Sequence, residues 1–206
     1  MHDTYLITYK NNNKLSVSVA NKCGSSSCIS IMGFPFLGSF KYRKDTNQID
    51  RKNWKVVSLS KISDNLSHYP IRIAIVRDPI ERFISCYKDR VIQRNKDKVK
   101  DTVKDFSYFV NHIEVIRTKY RDIQRHTEPQ VKSYGLNQKI FTHIINTKHI
   151  NDRFIPLIEE VSHTQNIPIV YHKNSFPVPE IILTEEEKQK IKKFYEIDYK
   201  FFGEFF

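Results

Sequence analysis

The sequence predicts an α/β protein with a sheet whose central strands are buried on both faces. Three observations carry that prediction. Residues 71–76 form a β-branched, nearly all-apolar run, as a strand covered on two sides requires. Pro79 follows directly, and from it Ile80, Phe83, Ile84, Tyr87 and Val91 recur at helical spacing. Upstream, Leu15-Ser16-Val17-Ser18-Val19 alternates like a strand and runs into a Gly- and Ser-rich turn, after which Cys28, Ile29, Ile31 and Met32 read as the start of a helix.

The first strand is expected at residues 5–9, with a polar turn at 11–13 before the second. Residues 33–53 mix Gly, Pro, Phe and charge without periodicity and read as a loop, and residues 55–59 as a further strand. His68 precedes the 71–76 strand, at its amino end, where a structural role is expected. The Lys-, Arg- and Asp-rich stretch at 88–104 reads as a solvated helix end or loop, with attraction of an anion as the alternative. Val103, Phe106, Phe109, Val110, Ile113, Ile116 and Tyr120 predict a core helix, broken by a loop at 125–130 that carries His126 and Glu128. A strand at 139–145, a helix at 152–161 and a short strand at 167–171 follow. Thr184 with Glu187 marks a capping box before the last helix and its aromatic tail. With 206 residues and no dividing linker or repeat, one domain spanning 1–206 is expected.

Composition bounds the function. Thirty-four Lys and Arg against 23 Asp and Glu give a net charge of +11, which favours an anionic ligand, polymer or surface. The 39% hydrophobic content excludes a mostly disordered chain. Three cysteines, Cys23, Cys28 and Cys86, do not make a disulfide framework, so a reducing compartment is expected. No stretch is long and apolar enough for a signal peptide or membrane span.

Two segments have anion-binding character. In Asn21-Lys22-Cys23-Gly24-Ser25-Ser26-Ser27, a small turn between strand and helix offers backbone N–H groups and hydroxyls, with Lys22 adding charge. It is not a Walker A loop, because the Lys comes first. In Val76-Arg77-Asp78-Pro79, Arg77 leaves the carboxyl end of a strand, and Ser85 lies about two turns into the helix beyond, so both can face one phosphate. A serine-capped polar loop and a salt-bridged arginine are the structural alternatives.

Together the two segments resemble the sulfotransferase family, which transfers a sulfuryl group from 3′-phosphoadenosine 5′-phosphosulfate (PAPS). Val76-Arg77-Asp78-Pro79-Ile80-Glu81-Arg82 with Ser85 and Tyr87 is similar to the carbohydrate type, including the uronyl 2-O- and the HNK-1 and chondroitin enzymes. His126 with Pro129-Gln130, His172 with Asn174, and Tyr195-Glu196-Ile197-Asp198-Tyr199 with Phe201 and Phe202 add to the likeness. The resemblance implies a three-layer sandwich with a central parallel sheet, like that of P-loop nucleotide kinases. It implies that Lys22 contacts the 5′-phosphate and the oxygen bridging to sulfur, that Gly24, Ser25, Ser26 and Ser27 hold the 5′ group, and that Arg77 and Ser85 grip the 3′-phosphate. PAPS is the expected donor, leaving as 3′-phosphoadenosine 5′-phosphate (PAP), and no metal is expected.

The acceptor is expected to be a hydroxyl on a carbohydrate, with an acidic glycan among the candidates, His126 as general base and Glu128 next. The 2-O-sulfotransferases place their histidine after an earlier strand, and residues 55–61 here contain none. Small-molecule sulfotransferases carry a tryptophan after the first loop and a Gly-rich C-terminal motif, whereas here Ser27 and Cys28 follow the loop and Gly203 stands alone. The span and disulfides of the animal carbohydrate enzymes are not seen in this sequence, as a bacterial or viral cytoplasmic enzyme or a trimmed chain would explain; a cytoplasmic location and no nucleic-acid partner are expected. A nucleotide or small-molecule kinase and an inactive polyanion-binding module are the competing readings.

Overall fold

A computed structural model describes residues 3–39, 49, 52–57, 68–94, 99–169 and 180–206. Its centre is a five-stranded sheet of order β3-β1-β2-β4-β5, where β1 is Asp3–Thr8, β2 Lys14–Val19, β3 Trp54–Val57, β4 Ile71–Val76 and β5 His143–Asn146. The sheet is mixed. β2, β4 and β5 are parallel, while β1 runs antiparallel to both β2 and β3.

The expected central parallel sheet is therefore corrected at β1, and the cause is local. Residues 9–13 form a tight hairpin, with Tyr9 N–H donating to Asn13 C=O at 2.9 Å and Asn12 at φ 65°. A connection that short can join only antiparallel strands. Leu15 to Val19 are all buried, which places packed elements on both faces of β2.

Helix α1 is Ser25–Leu37, and it buries Cys28, Ile29, Ile31 and Met32 against the sheet core. Residues 33–37 of the loop expected at 33–53 are thus helical, and residues 40–48 and 50–51 of it lie outside the described residues. Pro35 lies inside the helix, which ends at Gly38, whose φ of 65° and N–H bond to Phe34 C=O form a left-handed cap. Phe36 stacks on Tyr9 and meets Trp54 edge-on, so the last turn is held by packing at the far side of the sheet.

Helix α2, Pro79–Cys86, begins where the sequence places it, with Asp78 as N-cap accepting from Glu81 N–H at 3.0 Å. Beyond it Tyr87–Gln93 winds as a π-helix. After α3 (Val99–Thr102), the core helix expected from Val103 to Tyr120 is instead split into α4 (Phe106–Asn111), capped by Asp105, and α5 (Ile113–Lys119), with the break at His112. Then come α6 (Arg121–Thr127), α7 (Val131–Tyr134), α8 (Ile155–Ser162), α9 (Glu185–Phe194) and α10 (Glu196–Phe202). The capping box at Thr184 and Glu187 is formed.

β5 starts later than expected, after a 3₁₀ turn at Gln138–Ile140, and residues 167–169 are not strand. Residues 58–59 and 170–171 of expected strands lie outside the described residues, as do His172 and Asn174. A second core gathers Phe83, Phe109, Ile116, Ile123 and Tyr195 from α2, α4, α5, α6 and the α9–α10 junction. Phe83 meets Phe106, Phe109, Phe194 and Tyr195 at ring distances of 5.9, 4.9, 6.4 and 6.3 Å. That core fixes α2, and so fixes the direction in which Arg77 leaves β4.

Candidate functional site

The parallel strands β2 and β4 end side by side, and each runs through a turn into a helix. This is the crevice where α/β sheets bind ligands. Tyr134 Oη ties the two ends together, accepting from Ala20 N–H at 2.8 Å and donating to Ile75 C=O. The turn after β2 is tightly wound: Lys22 has φ 65° and Gly24 φ 71°, and Cys23 N–H bonds Ala20 C=O at 3.1 Å. A Cβ at Gly24 would lie 3.2 Å from Ile150 Cδ1, so both backbone sign and space favour glycine.

Gly24 gives α1 no side-chain cap, and its first turn carries no acid. The N–H groups of residues 25–27 therefore open the helix with its positive dipole end uncompensated. Arg77 stands beside them, with Nη1 donating to Lys22 C=O at 3.2 Å and Nε 3.5 Å from Glu81. Lys22, residues 24–27 and Arg77 thus share one edge of the sheet. Ser85 lies half-buried on α2.

Lys22 Nζ is bound to Asp89 at 2.8 Å. Asp89 also accepts from Arg94 Nε at 2.9 Å and faces Arg90 Nε at 3.2 Å. These cations outweigh burial and hold its carboxyl below the ordinary carboxylate value. Arg90 in turn meets Asp122 at 3.0 Å and His126 Nε2 at 2.6 Å. Of the solvated stretch expected at 88–104, Arg94, Asp101 and Lys104 are exposed and residues 95–98 lie outside the described residues, but the π-helix turns Asp89 and Arg90 inward toward the loop.

His126 lies in the last turn of α6, so the expected loop at 125–130 starts later, at Glu128. Its Nδ1 is 2.7 Å from Asp122 C=O, which makes Nδ1–H the donor and Nε2 the acceptor from Arg90. Burial, reinforced by Arg90 and Lys22, pushes the imidazole down to about 4, so it is neutral near pH 7. With both nitrogens engaged, it presents no lone pair to an alcohol. Glu128 caps the end of α6, half-buried, while His68 is exposed at the amino end of β4, away from this edge.

Several residues of this region carried no assigned role in the sequence. Gln130, Asp198 and Arg82 are completely buried. Arg82 Nε donates to Asn21 C=O at 2.8 Å, and its guanidinium lies 5.9 Å from the Tyr195 ring centre. Its signal was visible: Pro79, Arg82, Phe83 and Cys86 fall on one face of α2, a face otherwise apolar. Asp89 and Arg90 had none, because their charges look like those of any solvated helix end.

A cavity of about 230 Å³ opens beside β5, lined by Asn146, Lys148, His149, Arg153, Glu204 and Phe206 among others. Lys148 reaches Glu81 at 3.1 Å, and Glu81 reaches Arg77, so the cavity adjoins the Arg77 segment.

Comparison with protein families matches residues 5–205 to the sulfotransferase family. The chain belongs to that family. No curated protein and no solved structure matches it. As a family member it is a transferase, and its mixed sheet with packed helices fits the α/β fold. Among the described residues no group of three or more His, Cys, Asp or Glu is arranged to hold a metal ion, and no helix is long and apolar enough to cross a membrane.

Proposed function

We propose that this family member transfers a sulfuryl group from PAPS to a hydroxyl of a carbohydrate. The observation that carries the reading is the convergence of Lys22, the α1 N-terminus and Arg77 at the ends of two adjacent parallel strands. The residues present fit such a donor: a turn in which a Cβ at Gly24 would crowd Ile150, a helix start without acid, and two cations. When bound, PAPS supplies the sulfuryl group and departs as PAP.

On this reading residues 24–27 hold the 5′ group, while Arg77 and Ser85 hold the 3′-phosphate. Lys22 exchanges Asp89 for the leaving group, where its ammonium offsets growing negative charge. A guanidinium and an ammonium give that stabilisation without a metal. For His126 to take the acceptor's proton, Arg90 must first release Nε2. Until then the histidine orients Arg90, which faces the Lys22–Asp89 pair.

The β2–β4–β5 half of the sheet, with its turns into α1 and α2, supports a three-layer, nucleotide-kinase-like arrangement in one domain. Lys148, His149 and Arg153 at the cavity support an acidic glycan as acceptor. Cys23, Cys28 and Cys86 are free and buried, which supports a reducing, cytoplasmic setting. The test is transfer of a labelled sulfuryl group from PAPS to a panel of neutral and acidic glycans, without added metal. Label on a glycan supports the reading. Magnesium-dependent phosphoryl transfer from ATP instead would assign the site to a kinase.

A further inference from the structure

Arg77 lies one residue beyond the last residue of β4, where the sheet no longer satisfies its peptide groups. Gln130 takes the place of the missing strand. Its Oε1 accepts from Arg77 N–H at 2.9 Å and its Nε2 donates to Arg77 C=O at 2.8 Å. The second lone pair of Oε1 accepts from Cys23 Sγ at 3.1 Å. Cys23 can donate because burial pushes its thiol up and keeps it protonated. One amide, fixed in a single orientation by two donors and one acceptor, therefore touches both anion-binding segments.

Gln130 is itself anchored. Its N–H donates to Asp198 Oδ2 at 2.8 Å, and Val131 N–H to Asp198 Oδ1 at 3.0 Å, so α10 clamps the start of α7. Arg82 holds Asn21 from the other side of the first loop. Neither Gln130 nor Asp198 is exposed to a ligand, so any effect they have passes through the segments they hold.

We propose that Gln130 is a positioning residue that sets the spacing between the first loop and Arg77, and that this spacing selects a ligand carrying two anionic groups over one carrying a single group. The inference rests on the donor-site reading. A ligand that bridges both segments gains from a preset spacing, because its second contact forms at high effective concentration, whereas a ligand that fills only the first loop gains little.

The test compares PAP with adenosine 5′-phosphate, which lacks the 3′ group, by calorimetry on the wild type and Gln130→Glu. The carboxylate retains an acceptor for Arg77 N–H and Cys23 but opposes Arg77 C=O with a second oxygen. The expected result is PAP binding weakened roughly tenfold or more, with adenosine 5′-phosphate changed less than about threefold. Acidification, which restores a donor to the buried carboxyl, narrows the gap from wild type. A general loss of packing would weaken both ligands alike. Parallel losses, or unchanged PAP binding, overturn the inference.

If Gln130→Glu does not fold, Cys23→Ala decides: it deletes the link to the first loop together with the Cys23 contact to the Tyr134 hydroxyl, so the readout is the selectivity between the two ligands and not stability. PAP weakened by about threefold with adenosine 5′-phosphate unchanged supports the proposal, and no change in PAP overturns it. Failure of the wild type to bind PAP removes the donor reading itself, and the inference with it.

Discussion

Replacing Lys22 by alanine separates catalysis from folding, because the structure provides for the charge left behind. Lys22 and Asp89 are paired at 2.8 Å with side chains 17% and 16% exposed, a setting in which deleting one partner usually strands a charge. Here Asp89 keeps Arg94 at 2.9 Å and Arg90 at 3.2 Å. Alanine also retains a Cβ at the same left-handed position, so the strain at φ 65° is unchanged. The stability loss is therefore about 1 kcal/mol or less, the scale of a partly exposed ion pair.

Ligand binding loses one charge-assisted contact, worth about 1.5–3 kcal/mol, so PAP affinity falls roughly 10- to 100-fold and stays measurable through Arg77 and the loop. Turnover falls further, by about 10²–10³, the cost of deleting one donor to a developing anion. Urea unfolding, PAP calorimetry and PAP release with an acceptor used by the wild type measure the three quantities separately. Wild-type turnover in a folded Lys22→Ala protein would refute the role.

Other outcomes follow from the same geometry. With His126 lowered to about 4 from 6.5, the unfolded chain takes up a proton on acidification before the folded one does; stability is full above pH 6.5 and falls by about 3 kcal/mol toward pH 4. His126→Gln, whose amide oxygen still accepts from Arg90, removes that slope in urea titrations. Turnover of the same variant stays within about threefold if the histidine only orients Arg90, and drops by about 10²–10⁴ if it is the base. Gly24→Ala combines a left-handed residue with a 3.2 Å approach to Ile150, so it loses about 1–2 kcal/mol in thermal unfolding and weakens PAP binding.

What could be read from the sequence was local. The β4–α2 boundary was legible because a β-branched run and a proline mark it within three residues. The turn between β2 and α1 was legible because a Gly- and Ser-rich run separates an alternating stretch from an apolar one. The antiparallel β1 was also within reach, since the polar turn at 11–13 leaves too little chain for a crossover. Gly33 and Pro35 suggested an early end to α1, but packing of Phe36 on Tyr9 and Trp54 overrides their propensity. The contacts that hold the site together were not legible. Gln130 meets Arg77 across 53 positions and Asp198 across 68, and Asp89 reaches Lys22 across 67. No periodicity records such pairings.

The central claim is that the turns after β2 and β4 form one site for a nucleotide with two anionic groups. Calorimetric titration of the wild type with PAP, in the presence of a chelator and then of magnesium–ATP as competitor, tests it most directly, with Arg77→Ala as control. The account expects metal-independent binding that ATP displaces poorly and that Arg77→Ala weakens at least about tenfold. Absence of PAP binding, equal binding by Arg77→Ala, or preference for magnesium–ATP would contradict it.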